Sequence, residues 1–461
     1  MNIKLRLTIM SFMQFFVWAA WLITIANYWF GTKQWDGAHF GIIFSTMGIA
    51  SLFMPTITGI LADKWINAEK LYAILHLMYA AVMFYLPQVD NPQTFFWIIL
   101  LAMCFYMPTI ALSNSISYTT LKNSELDVVK SFPPIRVWGT VGFIVAMWVT
   151  NLTGSKASAN QFYIAGVGAI FLGLYSFTLP KCLPTKSVSE KAGFIQSLGL
   201  EAFKLFTNYK MALFFVFSMF LGGALQLTNA YGDVFLDEFK LFPVYSDSLV
   251  VRYSTLIISI SQVSETLFIL AIPFFLKRFG IKKVIVISML AWVFRFGLFA
   301  YGDPAGGLWM IILSCIVYGM AFDFFNISGS LFVETSTTAK IRSSAQGLFM
   351  MMTNGFGAIL GSLLSGWMID KYFTKFYTNI QSTADLVNTD VNNEHLRKFL
   401  GDKGINVLAD GSLSRALDVK DWHNIWLSFA LYALVITVLF ALMFKHKHTR
   451  AEEEAINKIS H

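Results

Sequence analysis

Long apolar stretches separated by short polar ones form the dominant pattern of this chain. A helix that crosses a bilayer needs about 20 mostly apolar residues. Stretches of this kind occupy residues 6–30, 39–62, 70–88, 94–116, 134–151, 161–179, 211–236, 250–275, 282–301, 307–331, 345–370 and 422–444. The pattern therefore predicts an all-α integral membrane protein with 12 transmembrane helices in two six-helix bundles.

The polar segments between these stretches divide the chain into predicted regions. They are an N-terminal bundle (1–179), a cytoplasmic linker (180–210), a C-terminal bundle (211–445) with a long, partly ordered periplasmic loop (372–421), and a cytoplasmic tail (446–461). In the linker, residues 193–206 alternate apolar and polar positions at helical spacing. This is typical of an amphipathic helix on the inner membrane face, and equally of a plain connector helix.

Composition and charge agree with a membrane protein. Hydrophobic residues make up 56% of the chain and charged residues 13%, against about 25% charged in soluble domains. The net charge of +7 lies mainly in the termini and in alternate loops, whereas the opposite short loops contain only Lys33, Lys156, Lys240 and Arg252. Because basic loops stay in the cytoplasm, both termini are predicted to be cytoplasmic, and the charge does not indicate nucleic-acid binding.

Motifs of enzyme and metal chemistry are missing from the sequence. It has neither a Gly-x-x-x-x-Gly-Lys-(Ser/Thr) loop nor a His-Glu-x-x-His pair. Its cysteines, Cys104, Cys182 and Cys315, are too scattered for a disulfide framework or a metal site. We expect no enzyme activity, no metal and no cofactor.

Two loops have related sequences. Residues 59–64 (GILADK) follow the second span, and residues 277–283 (KRFGIKK) follow the eighth. They resemble complementary parts of the major facilitator superfamily loop motif, Gly-x-x-x-Asp-(Arg/Lys)-x-Gly-(Arg/Lys)-(Arg/Lys). The resemblance implies that fold, with two similar halves.

Polar groups inside spans are costly and so indicate a candidate site. In the fifth span, Arg136, Thr140 and Phe143 share one helix face, although Arg136 could instead extend to the membrane interface. The seventh and eighth spans each carry two polar residues three positions apart: Gln226 and Asn229, Gln262 and Glu265. Such groups suit a hydroxyl-rich or base-like ligand; the alternative is hydrogen bonding between helices.

The tenth span adds aromatic rings to these polar groups. Tyr318, Phe322 and Asn326 fall on one face beside Asp323, an arrangement typical of a site for a flat heterocycle. With 16% aromatic residues in the chain, helix packing is the alternative. We expect Arg295 to be structural and paired with an acid. The eleventh span carries glycines that predict close helix packing: Gly355, Gly357, Gly361 and Gly366.

Several longer segments identify a family. The chain resembles bacterial nucleoside permeases, the nucleoside:proton symporters. The resemblance is carried by five segments: residues 1–22, 132–140 (FPPIRVWGT), 259–270 (SISQVSETLFIL), 318–330 (YGMAFDFFNISGS) and 343–357 (SSAQGLFMMMTNGFG). The resemblance extends without apparent gaps to Tyr372. It implies a monomer in the lipid of the bacterial inner membrane that imports purine and pyrimidine nucleosides, such as uridine and adenosine, with protons.

The resemblance also implies roles for individual residues. The residues implied to line a central cavity are Arg136, Thr140, Phe143, Gln226, Asn229, Gln262, Glu265, Tyr318, Phe322 and Asp323. The four amide and carboxyl side chains on the seventh and eighth spans would hold sugar and base, Phe143 and Phe322 would pack on the rings, and Glu265 or Asp323 would carry the proton. The segment 372–421 departs from the short outer loop that the resemblance implies.

Two other functions fit the residues themselves. Intramembrane amides, acids and arginines also serve proton symporters of other small polar solutes, such as sugars. A uniporter could carry the same intramembrane polar residues and would transport its solute without protons. A sensor would be expected to carry a soluble output domain, and no segment of the chain is long enough for one.

Overall fold

The computed structural model describes residues 2–184, 200–337 and 342–446. Twelve long helices, one for each predicted span, account for most of them: α1 (Ile3–Leu22), α2 (Gly37–Lys64), α3 (Ala68–Tyr85), α4 (Pro92–Asn123), α5 (Val128–Leu152), α6 (Asn160–Ser176), α7 (Tyr209–Glu238), α8 (254–279), α9 (281–301), α10 (Leu308–Ser336), α11 (342–373) and α12 (Trp422–Met443). A π-helical segment, Asn27–Lys33, extends the first span beyond α1. Within the described residues, the membrane-spanning part of the fold is all-α with twelve long helices, as predicted.

Hydropathy and length alone identify eleven of these helices, in ten stretches. Ten stretches among the described residues are long and apolar enough to cross a membrane. One of them, Ser254–Tyr301, is 48 residues long and is interrupted at Gly280 (φ 74°, ψ 166°), so it comprises both α8 and α9. That backbone conformation is accessible essentially only to glycine. The remaining helix, α6, has 17 residues and is shorter than the other spans.

Glycines allow helices to pack closely within each half. A Cβ atom at Gly142 of α5 would lie 2.1 Å from the carbonyl oxygen of Phe12 in α1. In the second half, a Cβ atom at Gly361 of α11 would lie 2.4 Å from the Cα atom of Gly223 in α7. Close approach of this kind is how small residues stabilise helix pairs in lipid, and it confirms the packing role predicted for the glycines of α11.

The two halves contact each other mainly toward one face of the bundle. There α2 and α11 touch where a Cβ atom at Gly366 would lie 2.8 Å from the Cα atom of Gly41. Farther along the same pair, Cβ atoms at Gly59 of α2 and Gly347 of α11 would each meet nothing within 4 Å. The pair makes no comparably close contact at these two positions. We call this opposite face the terminal face, because residues 2 and 446, the ends of the described part of the chain, lie there.

The predicted long loop is folded and covers the face where the halves meet, which we call the capped face. We call residues 374–420 the cap domain; strands β1 (Thr374–Asn379) and β2 (Ser412–Lys420) pair antiparallel in it. Two short helices, Ile380–Leu386 and Glu394–Asp402, complete a small hydrophobic core of their own. The segment that the sequence predicts to be partly ordered is therefore a packed domain.

Lys420 attaches the cap domain to both halves. Its ammonium lies 3.0 Å from a carboxylate oxygen of Glu238 in α7 and 4.0 Å from the ring centroid of Phe30 in the first half. Burial alone would lower the pKa of Lys420, but the carboxylates of Glu238 and Asp418 outweigh it and raise that pKa. The lysine is therefore charged while buried.

Three predicted features fall partly outside the described residues. Of the amphipathic segment 193–206, residues 193–199 lie outside them, and the rest belongs to a 3₁₀ helix, Leu200–Thr207. The tail beyond residue 446 also lies outside the described part of the chain, as do the side chains of Asp63 and Lys64 in the first loop motif.

The contact between α1 and α5 makes a testable prediction. Gly142→Ala places a methyl group against the Phe12 carbonyl, so we expect a loss of stability of about 1–3 kcal/mol, as for other overpacked sites. Thermal unfolding of the detergent-purified protein measures it. Gly297→Ala is the matched control, because its Cβ meets nothing within 4 Å. An equal melting temperature for the two variants would contradict the packing argument.

Candidate functional site

The first half contributes an arginine held against an aromatic ring. Arg136 of α5 is partly buried, and its guanidinium carbon lies 4.1 Å from the ring centroid of Phe15 in α1. Gly139, one turn later, leaves room for it, since a Cβ atom there would lie 2.8 Å from an Arg136 Nη atom. Arg136 thus packs against α1 and interacts electrostatically with Glu265 of the second half, which argues against extension to the interface.

Thr140 and Phe143 follow Arg136 on α5. Thr140 is partly buried and Phe143 is buried. The Phe143 ring packs edge-on against Trp18 of α1 at 6.2 Å between centroids, and Trp18 in turn contacts Tyr106 of α4 at 5.5 Å. The indole N–H of Trp18 is buried without a hydrogen-bond partner in the described chain, so Trp18 is a further candidate beside the predicted residues.

The seventh and eighth spans bring their polar residues to the same region. Gln226 is buried, and its side-chain oxygen has no hydrogen-bond partner within the described residues. Asn229, Gln262 and Glu265 are each partly exposed. Gln226 therefore retains hydrogen-bonding capacity that the described helices do not consume, which disfavours a purely structural role for it.

The tenth span places two parallel rings beside a buried acid. The rings of Tyr318 and Phe322 stack at 5.9 Å with an angle of 5° between their planes. Asp323 is only 5% exposed, and its Oδ2 atom lacks a hydrogen-bond partner among the described residues. Asn326 instead donates to the carbonyl oxygen of Phe322 on its own helix at 3.1 Å. Stacked rings and an unpartnered acid are a combination that can bind a planar, polar molecule.

One cation and two acids form an electrostatic cluster between the halves. Glu265 interacts with Arg136 of the first half and with Asp323 of α10. With both acids ionised the three groups would carry one net negative charge in a low-dielectric region. A net charge is costly there. One proton bound to either acid would make the cluster neutral.

Arg295 has different partners from those expected. It is fully buried in α9, and its guanidinium donates to the Ser314 carbonyl oxygen at 2.8 Å and to the hydroxyls of Thr228 and Ser261 at 3.3 Å. Its guanidinium carbon also lies 4.5 Å from the Tyr318 ring centroid. The expected acid partner was wrong: within the described residues, hydroxyls, a carbonyl and a ring take that place. Arg295 therefore packs against the Tyr318 ring and helps to hold it in position.

Sequence reasoning missed other buried polar residues. Gln14 of α1 donates to Thr109 at 2.8 Å and accepts from Tyr72 at 2.5 Å, and His76 lies 3.1 Å from its side-chain oxygen. Asp233 of α7, only 1% exposed, accepts from Asn27. All of them interrupt predicted spans, so the signal that identified Glu265 was present at each.

Comparison with known proteins gives consistent matches. The nucleoside H⁺ symporter family model matches residues 1–391. Xanthosine permease of Escherichia coli is 47% identical over 449 residues, covering 97% of each chain. Nucleoside permease NupG of the same organism is 46% identical over 451 residues, covering 98% of each chain.

A solved structure agrees with these matches. The crystal structure of the nucleoside transporter NupG superimposes with a TM-score of 0.81 at 45% identity, covering 97% of this chain and all of that one. The fold is that of the major facilitator superfamily, and the protein is a multi-pass membrane transporter rather than an enzyme. By sequence, architecture and family match together, the chain belongs to the nucleoside:proton symporter family.

Proposed function

We propose that this protein imports purine and pyrimidine nucleosides, such as uridine and adenosine, together with protons. The observation that carries the proposal is the cluster of Arg136, Glu265 and Asp323 beside the stacked rings of Tyr318 and Phe322. It combines a proton-binding group with a surface for a flat heterocycle. Names of the similar proteins, a xanthosine permease and a nucleoside permease, support the same substrate class.

The binding roles follow from side-chain chemistry. Gln226, Asn229 and Gln262 offer both donors and acceptors, which suit the edges of a base and the hydroxyls of ribose. The rings of Phe322 and Phe143 would pack on the flat faces of the nucleoside. Thr140 and Tyr318 would add hydroxyls to the cavity wall, and Arg136 would face the substrate from the first half.

The coupling acid would be Glu265 or Asp323. A proton on this pair cancels the net charge of the cluster and favours nucleoside binding, and its loss on the other side favours release. At a membrane potential of 100 mV one inward proton contributes about 2.3 kcal/mol. That suffices for roughly fifty-fold accumulation.

We propose a monomer in the lipid of a bacterial inner membrane, with both termini in the cytoplasm and the cap domain outside. Loop charge supports this orientation, because basic residues such as Lys277, Arg278, Lys282 and Lys283 lie on the side of the termini. In that orientation α2 and α11 meet closely at the outer side, where Gly41 packs against Gly366. Transport would alternate between this state and its opposite.

Removing the charge of Glu265 tests the coupling role. We expect Glu265→Gln to abolish pH-dependent, concentrative uptake and to leave downhill exchange measurable, because the amide keeps hydrogen bonding but binds no proton. Uptake of labelled uridine between pH 5.5 and 8 measures both. Asp323→Asn is the matched variant for the other acid. Concentrative uptake at the unmodified level in Glu265→Gln would assign coupling to another group.

Proteoliposomes with an imposed inward proton gradient test the substrate class. We expect uptake of labelled uridine that collapses with a protonophore and is inhibited by excess adenosine but not by sucrose or maltose. Inhibition by the sugars alone would contradict the nucleoside assignment. Uptake unaffected by the gradient would indicate a uniporter instead.

A further inference from the structure

Two buried acids continue the polar face of α7 beyond the proposed site. Asp233 and Asp237 follow Gln226 and Asn229 at intervals of three or four residues, so all four share one side of the helix. Asp233 is 1% exposed and Asp237 is 5% exposed. Asp237 lies eight residues, or about 12 Å, beyond Asn229 toward the capped face. This part of α7 is outside the region predicted to bind substrate.

Asp233 connects the first span to the second half. Its Oδ2 atom accepts a hydrogen bond from the Asn27 amide, which belongs to the π-helical extension of the first span. Its Oδ1 atom accepts from the Thr255 hydroxyl of α8 at 2.8 Å. A single carboxylate thus binds one residue of the first half and one of the second.

Asp237 connects α7 to the segment between α5 and α6. The Lys156 ammonium lies 2.5 Å from Asp237 Oδ1 and 2.9 Å from the Ser254 hydroxyl, and the lysine side chain is only 16% exposed. Burial would lower the pKa of Lys156, but the carboxylates of Asp237 and Asp233 outweigh it and raise that pKa. Lys156 is therefore a charged residue of the first half that is bound by Asp237 and Ser254 of the second.

The other oxygen of Asp237 binds a lysine that does not cross between halves. Lys240 pairs with Asp237 Oδ2 from the next turn of the same segment. If the halves separated at the capped face, Asp237 would keep Lys240, whereas Lys156 would lose its carboxylate. Both lysines pair with Asp237, but only the contact of Lys156 joins the two halves and so opposes their separation.

We propose that Asn27, Lys156, Asp233 and Asp237 form a latch that holds the capped side closed and sets the balance between the two orientations of the transporter. They are positioning residues. They lie outside the proposed substrate site and would act on it through α7, which also carries Gln226 and Asn229. The effect on uptake rests on the proposed transport function, whereas the closed capped side does not.

The latch predicts how readily a buried residue at this contact becomes accessible. Ser259 of α8 is 3% exposed and accepts a hydrogen bond from the Trp148 indole of α5 at 2.9 Å, so it is covered while the halves touch. We would introduce Ser259→Cys after replacing Cys104, Cys182 and Cys315 by serine or alanine. A membrane-impermeant maleimide added outside intact cells then reports opening of the capped side, and no substrate is needed.

We expect Lys156→Met to speed this labelling about fivefold or more, because the link between halves is lost. Lys240→Met should stay within about twofold of the parent, and Lys156→Arg should restore slow labelling. Equal labelling in Lys156→Met and the parent, or equal acceleration in both Met variants, would overturn the latch. Protein amount and melting temperature of each variant identify any loss of fold.

Uptake kinetics provide a second measurement. In Lys156→Met we expect net uptake of labelled uridine to fall several-fold more than exchange of internal for external uridine, because only net uptake requires the empty carrier to reorient. Equal loss of both would contradict a latch. Failure of the unmodified protein to transport nucleosides would overturn the proposed function and leave the labelling result intact.

Discussion

An ionised group in the interior of a membrane protein must be paired, hydrated or neutralised, because low dielectric makes an isolated charge costly. In this protein that requirement is met in three different ways. Arg295 is surrounded by hydroxyls, a carbonyl and a ring within one half. Lys156 and Asp237 pair across the two halves. Glu265 interacts with Arg136 of the other half and with the second acid, Asp323.

The three solutions have different consequences for motion. The Arg295 contacts lie inside one bundle and survive any movement of the bundles against each other. The contacts of Lys156 with Asp237 and of Asn27 with Asp233 join the two halves, so they require the capped side to be closed. The cluster of Arg136, Glu265 and Asp323 lies between the halves and has one acid more than it has cations, so its charge depends on a proton. A proton or a ligand can therefore influence which orientation is favoured.

Backbone packing limits the direction of that movement. At Gly41 and Gly366, α2 and α11 approach so closely that a Cβ atom at either position would clash with backbone. At Gly59 and Gly347, nearer the terminal face, a Cβ atom would meet nothing within 4 Å. The cap domain adds a further contact on the closed side, where Lys420 binds Glu238 and lies over Phe30.

The sequence by itself determined the twelve spans, because membrane crossing depends on the length and hydropathy of consecutive residues. It also indicated Arg136, Glu265 and Asp323, because an ionisable residue within an apolar stretch is costly wherever the chain folds. Only the tertiary structure decided the partners. Asn27 and Asp233 are 206 positions apart, and Lys156 and Asp237 are 81 apart. The hydrophobic core of the cap domain joins segments that have no membrane-length pattern. Contacts at such separations depend on how the helices pack, which no local pattern of residues encodes.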